Sequence, residues 1–162
     1  SPEMKSTGEA IGYDTSLRRA LYKSLQSSGM TIANYGTIFV SIADADKPRA
    51  LPLIRRFYEL GFNIEATGGT AKYLRENGIR TRMLKKLSEG SIEIFESIRK
   101  GHVNYVINTI DINQHSARLD GYDIRRCAVE NNVTIFTALE TVSVLLDVLE
   151  EITLGVSTID AE

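Results

Sequence analysis

The chain has 162 residues, of which 43% are hydrophobic and 25% charged, a composition typical of one globular domain with a short extension. Its formal net charge of −2 argues against a generally basic nucleic-acid-binding protein, although a local basic pocket stays open. One cysteine excludes an internal disulfide and a cysteine-based zinc site, and with two histidines any metal would depend on carboxylates. No apolar run approaches the roughly 20 residues of a membrane span. We therefore expect a cytoplasmic protein with neither a membrane nor a nucleic acid as partner.

The first twelve residues are polar and lack both an initiator methionine and the apolar stretch of a signal peptide. We therefore expect the chain to continue from a longer polypeptide. Apolar residues at helical spacing after the capping residue Asp14 predict a helix over 15–27, which ends before Gly29. The predicted organisation is an N-terminal segment over 1–32, a folded domain over 33–152 and an irregular tail over 153–162.

From residue 33 onward, short β-branched runs alternate with segments of helical periodicity. Strands are predicted over 35–43, 62–67, 80–84, 103–109 and 133–136. Helices are predicted over 47–60, 70–76, 91–100, 122–130 and 138–151. Because strands separated by helices form βαβ units, the expected fold is α/β: a three-layer, Rossmann-like domain with a central five-stranded, mostly parallel sheet.

The sharpest local feature is a turn between the second strand and its helix, formed by Thr67, Gly68, Gly69 and Thr70. In a parallel sheet, ligands bind beyond the carboxyl ends of the strands. Here two glycines would expose backbone N–H groups at the positive end of a helix dipole, where a phosphate is stabilised. A tight turn that needs glycine for backbone reasons explains the same residues equally well.

Lysines near this turn favour the phosphate interpretation. Lys47 begins the helix predicted over 47–60. Lys85 and Lys86 follow the third strand, and because they are adjacent on an irregular stretch, at least one of them can face inward. Their positive charge would neutralise a phosphate dianion. The alternative is that these lysines only form a solvated basic edge of the domain, since exposed charges usually contribute little.

Other candidates are weaker. Asp44 and Asp46 suit helix capping as well as acid–base chemistry, and Asp111 with His115 is a weak acid–base pair in a polar loop. The arginines at 125 and 126 are expected to pair with acids, either at the surface or at a contact with the parent protein. Cys127 is expected in the core and not as a nucleophile.

Taken together, these motifs resemble the methylglyoxal-synthase-like domain, and more closely the C-terminal allosteric domain of the carbamoyl-phosphate synthase large subunit. The residues that carry the resemblance are Ser41 with Lys47 six residues later, the turn at 66–70, Lys86, and the run 107–109. The opening residues 1–12 resemble the segment that leaves an ATP-grasp region, and residues 122–129 resemble a late helix of the family.

The resemblance implies a regulatory domain without catalytic residues, metal or cofactor of its own. Its ligand would be a small phosphorylated effector such as UMP, IMP or phosphoribosyl pyrophosphate. Its partners would be the remainder of the large subunit, which uses ATP with Mg or Mn, and the glutaminase small subunit. The parent enzyme makes carbamoyl phosphate for arginine and pyrimidine synthesis. The residues implied to bind the effector are Ser41, Lys47, Thr67, Gly68, Gly69, Thr70, Lys86, Asn108 and Thr109.

Two departures from the family pattern bear on the ligand. Ile110 stands where some nucleotide-regulated members have a second threonine, and the loop over 111–120 does not match the family. Methylglyoxal synthase itself, a lyase acting on dihydroxyacetone phosphate, is the alternative, but its Gly-Gly-Asp segment with the catalytic base is absent between Leu87 and Glu93. The cyclohydrolase of purine synthesis is a third possibility. This chain lacks the segment with lysine and histidine that follows the third strand in that family.

Overall fold

The computed structural model describes residue 20 and residues 33–153, with the exception of 112 and 114. Five strands form one sheet in the order β3-β2-β1-β4-β5, and every neighbouring pair is parallel. The strands are β1 (Thr37–Ser41), β2 (Asn63–Thr67), β3 (Thr81–Leu84), β4 (Tyr105–Asn108) and β5 (Thr134–Phe136). The predicted α/β fold with a five-stranded parallel sheet is confirmed.

Five α-helices connect and follow these strands. They are α1 (Lys47–Glu59), α2 (Gly68–Glu76), α3 (Glu93–Arg99), α4 (His115–Glu130) and α5 (Leu139–Thr153). Short 3₁₀ turns at Asp44–Asp46 and Leu87–Glu89 precede α1 and α3. The predicted helix over 15–27, the N-terminal segment and most of the tail lie outside the described residues.

The sheet is buried between two layers of helices because successive strand residues point to opposite faces. On one face, residues such as Ile38 and Val40 pack with α1, α2 and α5. On the other, Phe39 and Val106 pack with α3 and α4. Both faces of the central strands are therefore dry, which explains why β1 and β4 are almost continuously apolar.

Two helices begin earlier than the periodicity predicts. α2 begins at Gly68, not at residue 70, so both glycines belong to its first turn. α4 begins at His115, not at residue 122. The prediction missed the first two turns of this helix because their sequence has no apolar stripe at helical spacing. α1 runs unbroken through Pro52, whose ring is exposed.

Candidate functional site

A pocket of about 270 Å³ opens at the carboxyl ends of β1, β2 and β4. The strand order reverses direction between β1 and β4, where Ser41 pairs with Asn108. Such a switch point leaves a crevice because the connections on its two sides diverge. The pocket is lined by Ser41, Ile42, Ala43, Asp44, Lys47, Thr67, Gly69, Thr70, Lys86, Leu87, Ile94, Asn108, Thr109, Asp111, Asp120, Gly121 and Ile124.

The first turn of α2 forms one end of this pocket. Thr67 is the N-cap in extended conformation, and within the described part of the chain its side chain makes no cap hydrogen bond. The first amides of a helix lack partners inside the helix. Here they belong to Gly68, Gly69 and Thr70, and Gly69 is exposed. This end of the pocket therefore offers backbone donors and a positive dipole end to an anion.

Two ammonium groups converge on the same turn. A β-carbon placed at Gly69 would lie 3.4 Å from Lys47 Nζ, and one placed at Gly68 would lie 3.2 Å from Lys86 Cε and 3.9 Å from its Nζ. Lys47 belongs to α1 and Lys86 follows β3, so only the fold brings them together. The lack of side chains at the two glycines leaves room for both lysines beside the amides.

Two threonine hydroxyls of the predicted site already have backbone partners. Thr70 Oγ1 accepts a hydrogen bond from the Ile42 amide at 3.1 Å, and Thr109 Oγ1 accepts one from the Ala43 amide at 3.0 Å. Both bonds fix the segment between β1 and α1, which carries Asp44 and leads to Lys47. These hydroxyls therefore shape the pocket, in addition to any contact they make with a ligand.

Asp44 forms an ion pair with Lys47 at the pocket mouth. The hydrogen bond from Lys47 and the charge of that lysine hold the pKa of the Asp44 carboxyl below its ordinary value. Asp111 also lines the pocket, and its Oδ1 accepts a hydrogen bond from the Asn113 amide at 2.9 Å. Asp44 is consequently a poor proton acceptor, whereas Asp111 and Asp120 are the other carboxylates of the lining.

The structure brings eight of the nine residues implied by the resemblance into the lining of one pocket, and the ninth, Gly68, lies beside Lys86. Lys85 is different: it does not line the pocket, and its amide donates to Glu93 Oε2 at 2.8 Å. The contribution of α4 to the lining, namely Asp120, Gly121 and Ile124, was not predicted, and Asp120 and Gly121 precede the predicted start of that helix at residue 122. The signal available was Gly121 and Ile124 at helical spacing.

The remaining candidates lie elsewhere or are packed. Cys127 is buried between α4 and the sheet, and burial raises the pKa of its thiol. Arg126 forms a surface ion pair with Asp123 at 3.8 Å. His115 is the first residue of α4.

The described residues contain neither a metal-binding cluster nor a helix suited to a bilayer. No group of three or more His, Cys, Asp or Glu side chains among them could hold a metal ion. None of the helices in the described ranges combines the length and hydropathy needed to cross a bilayer.

Comparisons with known proteins agree with this architecture. A solved structure, methylglyoxal synthase from Elizabethkingia anophelis NUHP1, is similar to the chain with a TM-score of 0.58 and 19% sequence identity. The similarity covers 70% of this chain and 78% of that one. At this identity the likeness shows the fold alone.

The family model described as MGS-like domain matches residues 49–137, more than half of the chain. The match begins just inside α1 and ends just after β5, so it includes the first turn of α2 and the segment that carries Lys86. The chain therefore belongs to the MGS-like domain family.

Proposed function

We propose that this domain binds a small phosphorylated metabolite in the pocket at the ends of β1, β2 and β4. The observation that carries the proposal is the convergence of Lys47 and Lys86 on the Gly68–Gly69 turn of α2. Backbone amides, a helix dipole and two ammonium groups then act on one small volume, which suits a phosphate dianion.

Isothermal titration calorimetry with inorganic phosphate and dihydroxyacetone phosphate tests this function. We expect the double variant K47A/K86A to bind at least about tenfold more weakly, because hydrogen bonds to charged groups contribute roughly 1.5–3 kcal/mol each. The matched control is K72A/K85A, which removes two exposed lysines and the same charge. Equal affinity of K47A/K86A and the wild type would contradict the proposal.

Two finer functions share this pocket. The first is a phosphate-eliminating lyase of the methylglyoxal synthase type. The comparisons support it better, because the similar solved structure bears that name. Proton abstraction needs a basic side chain within hydrogen-bond reach of the substrate proton. Asp111 and Asp120 in the lining are the candidates, since Lys47 depresses the pKa of Asp44.

The second is the effector-binding domain of a carbamoyl-phosphate synthase large subunit. The segment after β3 supports it. Glu89 and Glu93 lie there, but their carboxylates accept hydrogen bonds from the amides of Lys86 and Lys85, at 3.1 and 2.8 Å. They therefore serve the local backbone instead of offering a base to the pocket. Such a domain would act on the remainder of the large subunit and the glutaminase subunit through a ligand that binds one global state better.

A turnover assay and a binding assay together distinguish the lyase from the effector-binding domain. Release of methylglyoxal and phosphate from dihydroxyacetone phosphate, abolished in D111N or D120N, would establish the lyase. Binding of UMP, IMP or phosphoribosyl pyrophosphate without turnover of dihydroxyacetone phosphate would establish the effector domain.

A further inference from the structure

Helix α4 approaches the end of β4 closely at Gly121. A β-carbon built at this buried glycine would lie 2.5 Å from Ile110 Cδ1, 3.1 Å from Ile110 Cγ1 and 3.1 Å from Asn108 Nδ2. Real β-carbons essentially never approach another heavy atom to within 3.0 Å. Glycine is disfavoured inside helices, and at Gly121 it leaves room for the side-chain ends of Ile110 and Asn108, which would have to shift to admit a β-carbon.

The contact lies at the pocket wall. Asn108 and Gly121 line the pocket, as does Ile124, which follows Gly121 by one turn of α4. Ile110 follows β4 by two residues, and its half-buried side chain fills the space beside Gly121.

Gly121 on α4 lies beside Asn108 on β4, two strands away from the β2 strand that leads into the first turn of α2. The pocket runs from the first turn of α2, after β2, past Ser41 on β1 to Asn108 on β4. Neighbouring strands are about 4.8 Å apart, so two strand spacings separate these ends by about 10 Å. A phosphate at the α2 end would direct the organic part of its ligand toward Asn108 and α4.

We propose that the contact between Gly121 and Ile110 sets the position of the α4 wall and so determines how large a group the pocket accepts beside a phosphate. This inference rests on the proposed function of the same pocket. Gly121 is then the specificity-determining residue, and Ile110 is a positioning residue that acts through the helix.

The test compares the affinity for inorganic phosphate with that for the largest ester the wild type binds among glycerol phosphate, ribose 5-phosphate and UMP. In G121A, we expect phosphate affinity to stay within about twofold. The ester affinity should fall about tenfold, the scale of one methyl group in a packed pocket. I110V removes the nearest atom, so I110V/G121A should recover most of the ester affinity.

A merely structural role would lower the melting temperature without changing the ester-to-phosphate ratio, and that result overturns the inference. So does an I110V/G121A variant as impaired as G121A. If G121A does not fold, I110A serves instead and should change the ratio by about threefold or more. An unchanged ratio there overturns the inference. If the wild type binds phosphate esters and the variants leave the ratio of ester affinity to phosphate affinity unchanged, this inference alone is refuted. If the wild type binds no phosphate ester, the proposed function is refuted as well.

Discussion

At the scale of single residues, the hydroxyl of Thr70 links two parts of the site. It accepts a hydrogen bond from the Ile42 amide and lies at 3.4 Å from the Ile42 carbonyl, so it holds the end of β1 against the first turn of α2. Thr70 and Ile42 are both buried, so water does not replace these bonds. The geometry of the phosphate end therefore depends on a side chain that sequence analysis assigned to the ligand.

We expect T70V to destabilise the fold by about 1–3 kcal/mol, because the isosteric change leaves the buried Ile42 amide without its acceptor. Urea unfolding at pH 7 measures the loss. T70S keeps the hydroxyl and should stay closer to the wild type. A T70V variant within about 0.5 kcal/mol of the wild type would show that the bond contributes little.

At the scale of elements, two ion-pair arrangements link α1 to α5, and they differ in geometry and in burial. Arg56 donates to both carboxylate oxygens of Glu150, at 3.0 and 2.6 Å, and to Asp147 at 2.8 Å, and it is partly buried. Arg49 reaches Glu140 at 3.6 Å from an exposed position. The first arrangement combines bidentate geometry with partial removal from water, and the second has neither.

We therefore expect R56M to lower the free energy of unfolding by about 1–2 kcal/mol and R49M by less than about 0.5 kcal/mol. Methionine keeps most of the aliphatic stem in both variants. Thermal and urea unfolding of the pair in the same buffer checks the difference. Equal losses would mean that the geometry of the Arg56 network does not matter.

Element boundaries also show where local patterns lose their predictive value. The strands were predicted within two residues of their observed ends, because buried β-branched runs leave a strong signal. The start of α4 was missed because residues 115–121 present no apolar face to recognise. That miss removed Asp120 and Gly121 from the predicted site.

The last scale is that of the complete fold, and among the tyrosines that the structure describes, Tyr105 is buried in its core. Tyr105 on β4 packs among Phe57, Phe62 and Phe136, and its hydroxyl donates to the Ala33 carbonyl at 2.7 Å. Burial raises the pKa of Tyr105 above its ordinary value of 10.0. The folded state therefore retains the phenolic proton to higher pH than the unfolded state does.

The consequence is a loss of stability at alkaline pH. Below the ordinary pKa the phenol is protonated in both states and its contribution is fully present. As pH rises above about 10, the unfolded state ionises first, and stability falls by up to about 1.4 kcal/mol per pH unit. Urea unfolding at pH 8 and pH 11 should show a smaller loss in Y105F than in the wild type. Y35F, which changes an exposed tyrosine, should lose as much unfolding free energy between the two pH values as the wild type does. If Y105F also loses as much as the wild type, this account is contradicted.

The pattern of residues along the chain predicts the parallel α/β fold, because alternating buried strands and amphipathic helices have few other solutions. It also indicates the glycine turn and the lysines as a phosphate site, since those residue types carry that chemistry locally. The folded structure was needed to show which lysine of the pair at 85 and 86 faces the turn, and that Thr70 and Thr109 hold the segment after β1. It also decided that α4 closes the pocket through Gly121. These contacts join residues far apart in the chain, and no local pattern of side chains encodes the distance between them.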